Sequence, residues 1–402
     1  MSDRPGLLSG VRVLSFGTFI AGNTAATVMA DLGAEVVKIE ARSRPDVLRM
    51  PAYAIGAAVT EPSGAPNTVM EASLTRGLLN VSLDLAEDDA RALFHRLVAV
   101  SDVVIENFGS PVLERWGCGY RDLLAHKPDL VMLSLSGYGR DGPRANYLAY
   151  GITVASYLGL ASAWGYAHGT LSDYIVGATG ALATVAALRQ AQRNGTPAYL
   201  DLAQVDAVPP VLAQLYASPL NTGVDYARVG NRSQGSWLSG VFPSRGYDQW
   251  LAVDIEDGPD WEILCGVLER PDLQAGERDQ ASALEPQLSE ALGQWVSLCS
   301  AHTAMHHLQR AGLAAGVVQD MEDLWRDPQL RARGLLDPVW QDDFGCITYT
   351  ASAQRWTKTP GRTPVPPARL GEHTRDVLRR WLEIADEELE SLERNGAVFS
   401  AD

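Results

Sequence analysis

One aspartate has a position in the sequence that suits nucleophilic chemistry. Asp173 lies just before a stretch, Tyr174 to Arg193, whose pattern predicts a long helix with small residues on one face. The free N–H groups and the positive dipole end of a helix stabilise a carboxylate, so we expect Asp173 to be ionised. An ionised carboxylate can attack a thioester carbonyl to form a mixed anhydride. An aspartate at a helix start is most often only a cap, so its position alone leaves both roles open.

A glycine-containing turn near the N-terminus is a second candidate for chemistry. The run from Gly17 to Thr24, GTFIAGNT, nearly fits the spacing of a phosphate-binding P-loop. Asn23 stands where the P-loop lysine would be, so ATPase chemistry is not predicted. The dinucleotide fingerprint G-x-G-x-x-G is also absent, although Glu40 occupies a place where a ribose acceptor could lie. The turn can present a helix N-terminus to a phosphate, or it can be a tight turn and nothing more.

Metal, disulfide and serine-hydrolase chemistry lack their usual sequence signals. The histidines are scattered, and the adjacent pair His306 and His307 would point in different directions on a helix. No C-x-x-C, H-E-x-x-H or G-x-S-x-G motif occurs. We therefore expect no metal, and reduced, mostly buried thiols in the cytoplasm. The four widely separated cysteines are Cys118, Cys265, Cys299 and Cys346.

The elements that must position these residues alternate between strands and helices. Apolar runs at 11–16, 35–40, 102–105 and 130–135 predict strands, and the stretches between them are largely helical. We interpret residues 111–126 as one of those helices. Repeated strand–helix–strand units predict a parallel sheet, and right-handed crossovers make it a doubly wound α/β sheet.

The character of the chain changes near Asn221. A loop, a β-hairpin and helical patterns that begin at Trp261 and Glu285 predict a smaller α+β domain over 223–330. The remaining residues, 331–402, contain strand-like segments, several prolines and two helices at 374–384 and 386–394. We therefore divide the chain into 1–222, 223–330 and 331–402.

Composition excludes some classes of partner. The 402 residues carry 33 basic and 49 acidic side chains, a net charge of −16, which argues against nucleic acid and against a polybasic membrane contact. Hydrophobic residues form 46% of the chain and charged residues 20%, the balance of a soluble globular protein. The longest weakly polar run, 175–188, is too short to span a bilayer and predicts a buried helix.

Several segments, taken in order, resemble the family III CoA-transferases, also called the CaiB/BaiF family. They include ADLGAEVVKIE, DVVIENF, VLERWGCGY, LSGYGRDGP, SDYIVGATGALA and DPQLRARG, and the resemblance covers nearly the whole chain. It implies a homodimer of interlocked ring-shaped protomers. Each protomer would have a discontinuous Rossmann-like large domain, formed from 1–222 and the returning 331–402, and a small α+β domain.

The resemblance also implies an activity and its residues. The family moves CoA from an acyl-CoA to a free carboxylic acid through covalent intermediates on one aspartate, and Asp173 matches that residue. Coenzyme A and its thioesters are then the substrates, with no metal expected. The positions implied to contact CoA are Ile20, Ala21, Arg42, Thr75, Arg76, Asn107, Phe108, Arg115, Ser136, Gly137 and Tyr138.

The chain departs from the family pattern at basic positions. Leu78 stands where many members have lysine, Gly109 where several have arginine or histidine, and Ala41 where a basic residue is usual. We expect Arg42 and Arg76, which lie beside two of these positions, to take over the phosphates together with the matching residue Arg115.

Two other functions and one substrate question stay open at this point. Tyr150 stands where racemases of the family carry a histidine, and His168 lies in a different segment, so racemase or isomerase activity is an alternative. Loss of basic residues leaves a non-catalytic CoA-binding scaffold as another. The aromatic residues Trp164, Tyr166 and Trp237 either accept an apolar acyl group or belong to the core.

Overall fold

The computed structural model describes residues 6–50, 68–109, 111–165, 170–213, 215–217, 230–233, 235–341, 345–359 and 365–401. The chain divides into two compact units, Met1–Tyr226 with Arg331–Asp402, and Ala227–Leu330. We call these the large unit and the small unit. The large unit therefore contains both ends of the chain.

A seven-stranded sheet forms the centre of the large unit. The strands are β1 Arg12–Phe16, β2 Glu35–Glu40, β3 Leu79–Leu83, β4 Val103–Glu106, β5 Val131–Ser136, β6 Ala198–Ala203 and β12 Val398–Phe399. Their order in the sheet is β12-β3-β2-β1-β4-β5-β6, and every neighbouring pair is parallel except β12 with β3. The order reverses direction between β1 and β4, as in doubly wound α/β folds.

Helices cover both faces of this sheet, which is why its strands are apolar on both sides. Their bounds are α1 Ala21–Asp31, α2 Val69–Thr75, α3 Asp88–Ala99, α4 Val112–Arg115, α5 Tyr120–Leu123, α6 Gly151–Tyr157, α7 Leu160–Trp164, α8 Leu171–Asn194, α9 Gln204–Val211, α15 Thr374–Leu382 and α16 Asp386–Arg394. Residues of α1 and α8 share one buried cluster with the sheet, and residues of α3 and α15 share another. A separate hairpin pairs β10 Leu336–Gln341 with β11 Gly345–Thr350.

One predicted helix is wrong. The stretch 111–126 forms two four-residue helices, α4 and α5, instead of one continuous helix. Gly117 lies between them with φ +65°, a left-handed conformation that ends α4 and that glycine adopts without strain. Gly119 then begins α5 in extended backbone.

The long helix α8 is longer than its apolar run suggested. Its 24 residues make it the one helix, among the described residues, that is long and apolar enough to span a membrane by length and composition. Its Val176, Ala181 and Leu188 belong to the buried cluster between α1 and the sheet, and 44% of its most apolar window is buried. In this structure α8 is a helix of the large unit's core.

The small unit contains a three-stranded antiparallel sheet in the order β7-β8-β9. Its elements are β7 Leu238–Pro243, β8 Trp250–Ile255, α10 Gly258–Val267, α11 Arg278–Ser297, α12 Ala301–Arg310, β9 Ala314–Val318 and α13 Met321–Arg326, and α14 Pro328–Arg333 contains the boundary with the large unit. Alternate residues of β8, such as Leu251 and Val253, face a core that includes Trp261 and Leu288. The Trp261 indole donates to the Leu273 carbonyl at 2.9 Å.

Candidate active site

A pocket lies at the point where the strand order of the sheet reverses, between β1 and β4. Its walls come from the segments that follow the carboxyl ends of β1, β4 and β5, together with the start of α8 and the start of α9. The carboxyl edge beside a reversal in strand order is the place where doubly wound sheets bind ligands. The cavity volume is ≈ 190 Å³.

Asp173 is the carboxylate of this pocket, and it is buried. It lies in the first turn of α8, where Thr170 is the N-cap residue, and only 4% of its surface is exposed. Loss of hydration raises the pKa of Asp173 to about 6, against the lowering effect of a hydrogen bond from Gln204. Of the two roles that its position left open, that of the N-cap belongs to Thr170 and not to Asp173. Burial, and not the helix N–H groups, dominates its environment.

Gln204 is the hydrogen-bond partner of Asp173. Its Nε2 donates to Asp173 Oδ1 at 2.8 Å, and Gln204 is itself 6% exposed. Two polar atoms of this pair, Asp173 Oδ2 and Gln204 Oε1, are buried and have no hydrogen-bond partner among the described residues. Gln204 was not among the residues predicted from the sequence, because it lies 31 positions away from Asp173, on the short helix α9.

Close packing of α8 against α1 fixes the position of Asp173. Gly177 lies one turn after Asp173 on the same face of α8. A Cβ atom at Gly177 would lie 2.7 Å from Thr24 Cβ and 2.8 Å from the Ala21 carbonyl oxygen, so only glycine allows this approach. The backbone of α8 therefore lies against the start of α1, which is the turn where the pocket begins.

The turn after β1 is held by side chains from distant parts of the chain. Asn107 accepts a hydrogen bond from the Thr18 N–H and donates to the Thr18 carbonyl, both at 2.8 Å. Asn23, the residue at the P-loop lysine position, accepts a hydrogen bond from the buried Lys38 Nζ at 2.7 Å. Lys38 also pairs with Asp46 at 2.6 Å. These contacts make the turn a rigid wall and commit Asn23 to a structural role.

Seven of the residues predicted to contact CoA line the pocket. They come from three separate segments, after β1, after β4 and after β5, which meet only because the strands are parallel and adjacent. Gly137 is held tightly, since a Cβ atom there would lie 1.9 Å from Ala149 Cβ. The seven are Ile20, Ala21, Asn107, Phe108, Ser136, Gly137 and Tyr138.

The other four predicted contacts are not among the described residues that line the pocket. Arg42 lies over the Phe399 ring at 4.4 Å and lines a different cavity with Asp84 and Glu393. Arg76 pairs with Asp31 at 2.7 Å.

Thr75 is buried and its hydroxyl lies 2.8 Å from Glu71 Oε1. Arg115 is exposed at the end of α4, seven residues beyond the pocket residue Phe108. The ring of Phe108 packs edge-on against Trp116.

The structure also shows the contacts of other residues that the sequence analysis singled out. Leu78 belongs to the buried cluster that contains α1 and α8. Tyr150 lines the pocket and packs edge-on against Phe19, with ring centroids 6.2 Å apart. Trp237 packs beside Trp261 in the small unit. Tyr166, His168 and the side chain of Trp164 lie outside what the structure describes.

The chemistry available in the pocket is that of one carboxylate and one amide. Among the described residues that line it, Asp173 is the acid and none is a lysine, arginine or histidine. Across the described residues no group of three or more His, Cys, Asp or Glu side chains is arranged to hold a metal ion. A buried carboxylate with a raised pKa, and with one oxygen that no described residue hydrogen-bonds, suits nucleophilic attack on an acyl group.

Comparison with known proteins agrees with this chemistry. The succinyl-CoA–L-malate CoA-transferase alpha subunit of Chloroflexus aurantiacus is 29% identical over 397 residues, which cover 96% of this chain and 91% of the relative. The succinate–glutarate CoA-transferase of Agrobacterium fabrum is 29% identical and 98% of each chain is covered.

The fold is also similar to a solved structure. The crystal structure of a CAIB/BAIF family protein from Brucella suis superposes with a TM-score of 0.83 and 23% identity, covering 94% of this chain and 100% of that one. A model of the family described as CoA-transferase family III matches residues 8–374. The chain therefore belongs to CoA-transferase family III and is a CoA-transferase.

Proposed function

We propose that Asp173 carries CoA from an acyl-CoA to a free carboxylic acid through covalent intermediates. The observation that supports this most is the state of its carboxylate. It is buried in a pocket at the carboxyl edge of the sheet, its pKa is raised to about 6, and Oδ2 has no partner among the described residues. At neutral pH such a carboxylate is mostly ionised and is more basic than a solvated aspartate, which favours its attack on a carbonyl carbon.

The reaction balances without a proton donor or a redox partner. A carboxylate oxygen of Asp173 attacks the thioester carbonyl, and CoA leaves as the thiolate, which gives a mixed anhydride. The thiolate then attacks Asp173 Cγ, and the donor acid leaves as its carboxylate. The acceptor carboxylate attacks the resulting aspartyl thioester and releases the thiolate. Attack of that thiolate on the acceptor's carbonyl carbon forms the new acyl-CoA and restores Asp173.

We infer that the thiol end of CoA enters the pocket and that its phosphates lie outside it. The pocket residues Asn107, Phe108, Ser136, Gly137 and Tyr138 offer backbone and neutral polar groups. Arg115, exposed on α4 beyond Phe108, is the predicted arginine whose position best suits a phosphate. Arg76 is already paired with Asp31, and Arg42 is stacked on Phe399.

The lining of the pocket favours an acyl group without a second carboxylate. The relatives are named for L-malate, glutarate and succinate or its CoA ester, all derived from dicarboxylic acids. A second carboxylate beside Phe19, Tyr138 and Tyr150 would find no cation to pair with in the described lining. Butyryl-CoA and succinyl-CoA have the same chain length, so comparing them as donors isolates the charge. We expect a higher kcat/KM for butyryl-CoA, and a preference for succinyl-CoA would exclude this substrate class.

Replacing the nucleophile tests the proposal. Asp173→Asn keeps the shape of the side chain and removes its ability to attack, so transfer should fall by roughly 10³-fold or more. Asp206→Asn is the matched control, because Asp206 is an exposed aspartate two residues beyond Gln204. A turnover assay with both variants decides the matter. Activity of Asp173→Asn close to that of Asp206→Asn would refute the assignment.

Two further measurements test the alternative functions, racemase and non-catalytic scaffold. A racemase would interconvert the stereoisomers of a 2-methylacyl-CoA without a free acid. The position where racemases carry the histidine that serves as general base is occupied here by Tyr150. A scaffold would bind CoA, measured by calorimetry, without turnover by the wild-type protein.

We also infer a cytoplasmic homodimer of interlocked protomers. Apolar side chains near the pocket are exposed in the single chain, among them Leu148 at 84% and Tyr150 at 58%, and a second copy would cover them. Four free cysteines fit a reducing compartment. Interlocked subunits exchange only after local unfolding, so mixing differently tagged dimers should give no heterodimer within minutes. Rapid heterodimer formation would exclude interlocking.

A further inference from the structure

We propose that Gln204 is a second catalytic residue, whose amide stabilises the negative charge that forms on Asp173 Oδ1 when a nucleophile attacks Asp173 Cγ. This inference rests on the proposed role of Asp173. It gives the two oxygens of that carboxylate different functions. Oδ2 bonds to the donor acyl group and leaves with the donor acid, and an oxygen of the acceptor acid takes its place. Oδ1 stays bonded to Cγ throughout and carries the charge of each tetrahedral intermediate.

The geometry carries the assignment. Gln204 Nε2 donates to Asp173 Oδ1 at 2.8 Å, and both residues are buried and line the same pocket. An ionised carboxylate only accepts hydrogen bonds, so the amide must present its NH₂ end to it. Oδ2 has no partner among the described residues, so it is the oxygen left available for attack.

The donor lies where charge develops during the reaction. When the thiolate attacks Cγ of the anhydride, the π electrons of the Cγ–Oδ1 bond move onto Oδ1, and the Cγ–Oδ2 bond then breaks to release the donor acid with Oδ2. When the acceptor carboxylate attacks the aspartyl thioester, charge again moves onto Oδ1 and then expels the thiolate. A fixed N–H donor at Oδ1 stabilises both tetrahedral intermediates, as in an oxyanion hole.

A purely structural role explains Gln204 less well. Its Oε1 is buried and has no hydrogen-bond partner among the described residues, and such an atom is costly in a folded protein. An apolar side chain of the same size would avoid that cost but would leave Asp173 Oδ1 without its donor, so the hydrogen bond to Asp173 is what the glutamine supplies. Unsatisfied buried polar groups that native proteins retain are commonly found at functional sites.

The test compares three variants of the full-length protein. Gln204→Met keeps the length and volume of the side chain and removes the donor. Gln204→Glu can donate a hydrogen bond to Asp173 only when the two carboxyl groups, that of Asp173 and that of the new side chain, share a proton. Gln294→Leu is the matched control, because Gln294 is an exposed glutamine on α11 of the small unit. The measurements are kcat and KM over pH, and the rate at which acyl-CoA without acceptor forms a CoA adduct on Asp173.

We expect Gln204→Met to lower kcat by about 10²–10³-fold and to change the KM for acyl-CoA by less than about three-fold, as for loss of one oxyanion donor. The acid limb of the pH–rate profile of Gln204→Met should move to higher pH, because the hydrogen bond that lowers the pKa of Asp173 is gone. Gln204→Glu should recover part of kcat below neutral pH.

A Gln204→Met variant that forms the adduct as fast as the Gln294→Leu protein, with an unmoved acid limb, would overturn the role of Gln204 while Asp173 keeps its own. Absence of any adduct on Asp173 in the wild type would instead overturn the proposed function. If Gln204→Met does not fold, a Gln204→Glu protein with no recovery at low pH also overturns the inference.

Discussion

Two opposing effects set the pKa of the Asp173 carboxylate. Burial raises its pKa, because water no longer solvates the charge, and the Gln204 hydrogen bond lowers it. Burial is the larger effect, so the pKa stays near 6. The side chain is therefore ionised at neutral pH and still more basic than an exposed aspartate, a balance that suits a nucleophile.

This balance predicts how the rate depends on pH. In the proposed mechanism only the ionised form of Asp173 attacks, so kcat/KM should fall about ten-fold per pH unit below a midpoint near pH 6. A pH–rate profile of the wild-type enzyme with a non-ionising acyl group measures the midpoint. A profile that stays flat down to pH 4.5 would mean that Asp173 is not buried as described.

The raised pKa also predicts that Asp173 destabilises the fold at neutral pH. The folded protein holds the proton of Asp173 more tightly than the unfolded chain does. The contribution of Asp173 to the free energy of unfolding is therefore favourable near pH 4 and is lost as the pH rises through 6. Asp173→Asn should therefore be more stable than the wild type by roughly 2–3 kcal/mol at pH 7, and by little at pH 4. Urea unfolding of both proteins across this range checks the sign. A variant that is less stable at pH 7 would contradict it.

At this scale the sequence predicted Asp173 as the nucleophile, which stays a prediction, and it did not predict that the side chain is buried. Asp173 precedes a helical pattern, which favours a cap, and the resemblance to the family favoured a nucleophile. The burial of Asp173 depends on α1 and on Gln204, both far from it in the sequence. The residues next to Asp173 therefore could not indicate that it is buried. Gln204 was missed for the same reason.

The position of Asp173 depends on how α8 packs against α1. Gly177→Ala should lower stability by about 1–3 kcal/mol and transfer by ten-fold or more, because the added methyl group would push α8 away from Thr24 and move Asp173. Gly266→Ala is the matched control, since a Cβ atom on that α10 glycine meets nothing within 4 Å. It should leave activity unchanged and stabilise its helix by up to about 1 kcal/mol. Thermal unfolding and turnover of both variants test the packing, and equal behaviour of the two would refute it.

Elements were predictable where the pattern was local. Alternating apolar and helical stretches predicted β1, β2, β4 and β5 and the acidic start of α16 at Asp386. The prediction failed at 111–126, where the backbone conformation of Gly117 outweighs the helical propensity on either side. The short strand β9 was not predicted, because the sequence around Gly316 has little periodicity of its own and pairs with β8 across sixty residues.

The whole molecule must bind a multiply charged substrate despite a net charge of −16. We expect Arg115→Ala to raise the KM for acyl-CoA about ten-fold with little change in kcat, through loss of one phosphate contact. Arg76→Ala should instead lower stability by about 1–3 kcal/mol, because it leaves Asp31 partly buried without this partner. Kinetics and urea unfolding of the two variants measure the contrast. The reverse pattern would assign the phosphates to Arg76.

The pairing of distant segments was predicted more from the resemblance to the family than from local sequence patterns. Strand–helix alternation predicted a parallel sheet, and the structure has one with the order 3-2-1-4-5-6. The return of the C-terminal segment to β3, through β12, could not be derived from composition or periodicity. It depends on pairing between residues more than three hundred positions apart.

The central claim is that CoA becomes covalently attached to Asp173. The most direct measurement is to incubate the wild-type protein with an acyl-CoA and no acceptor acid, quench it in acid, and map the adduct by peptide mass spectrometry. We predict one CoA thioester, on the peptide that contains Asp173, which disappears when a free acid is added and never forms in Asp173→Asn. Active enzyme without this adduct, or an adduct on another residue, would contradict the account.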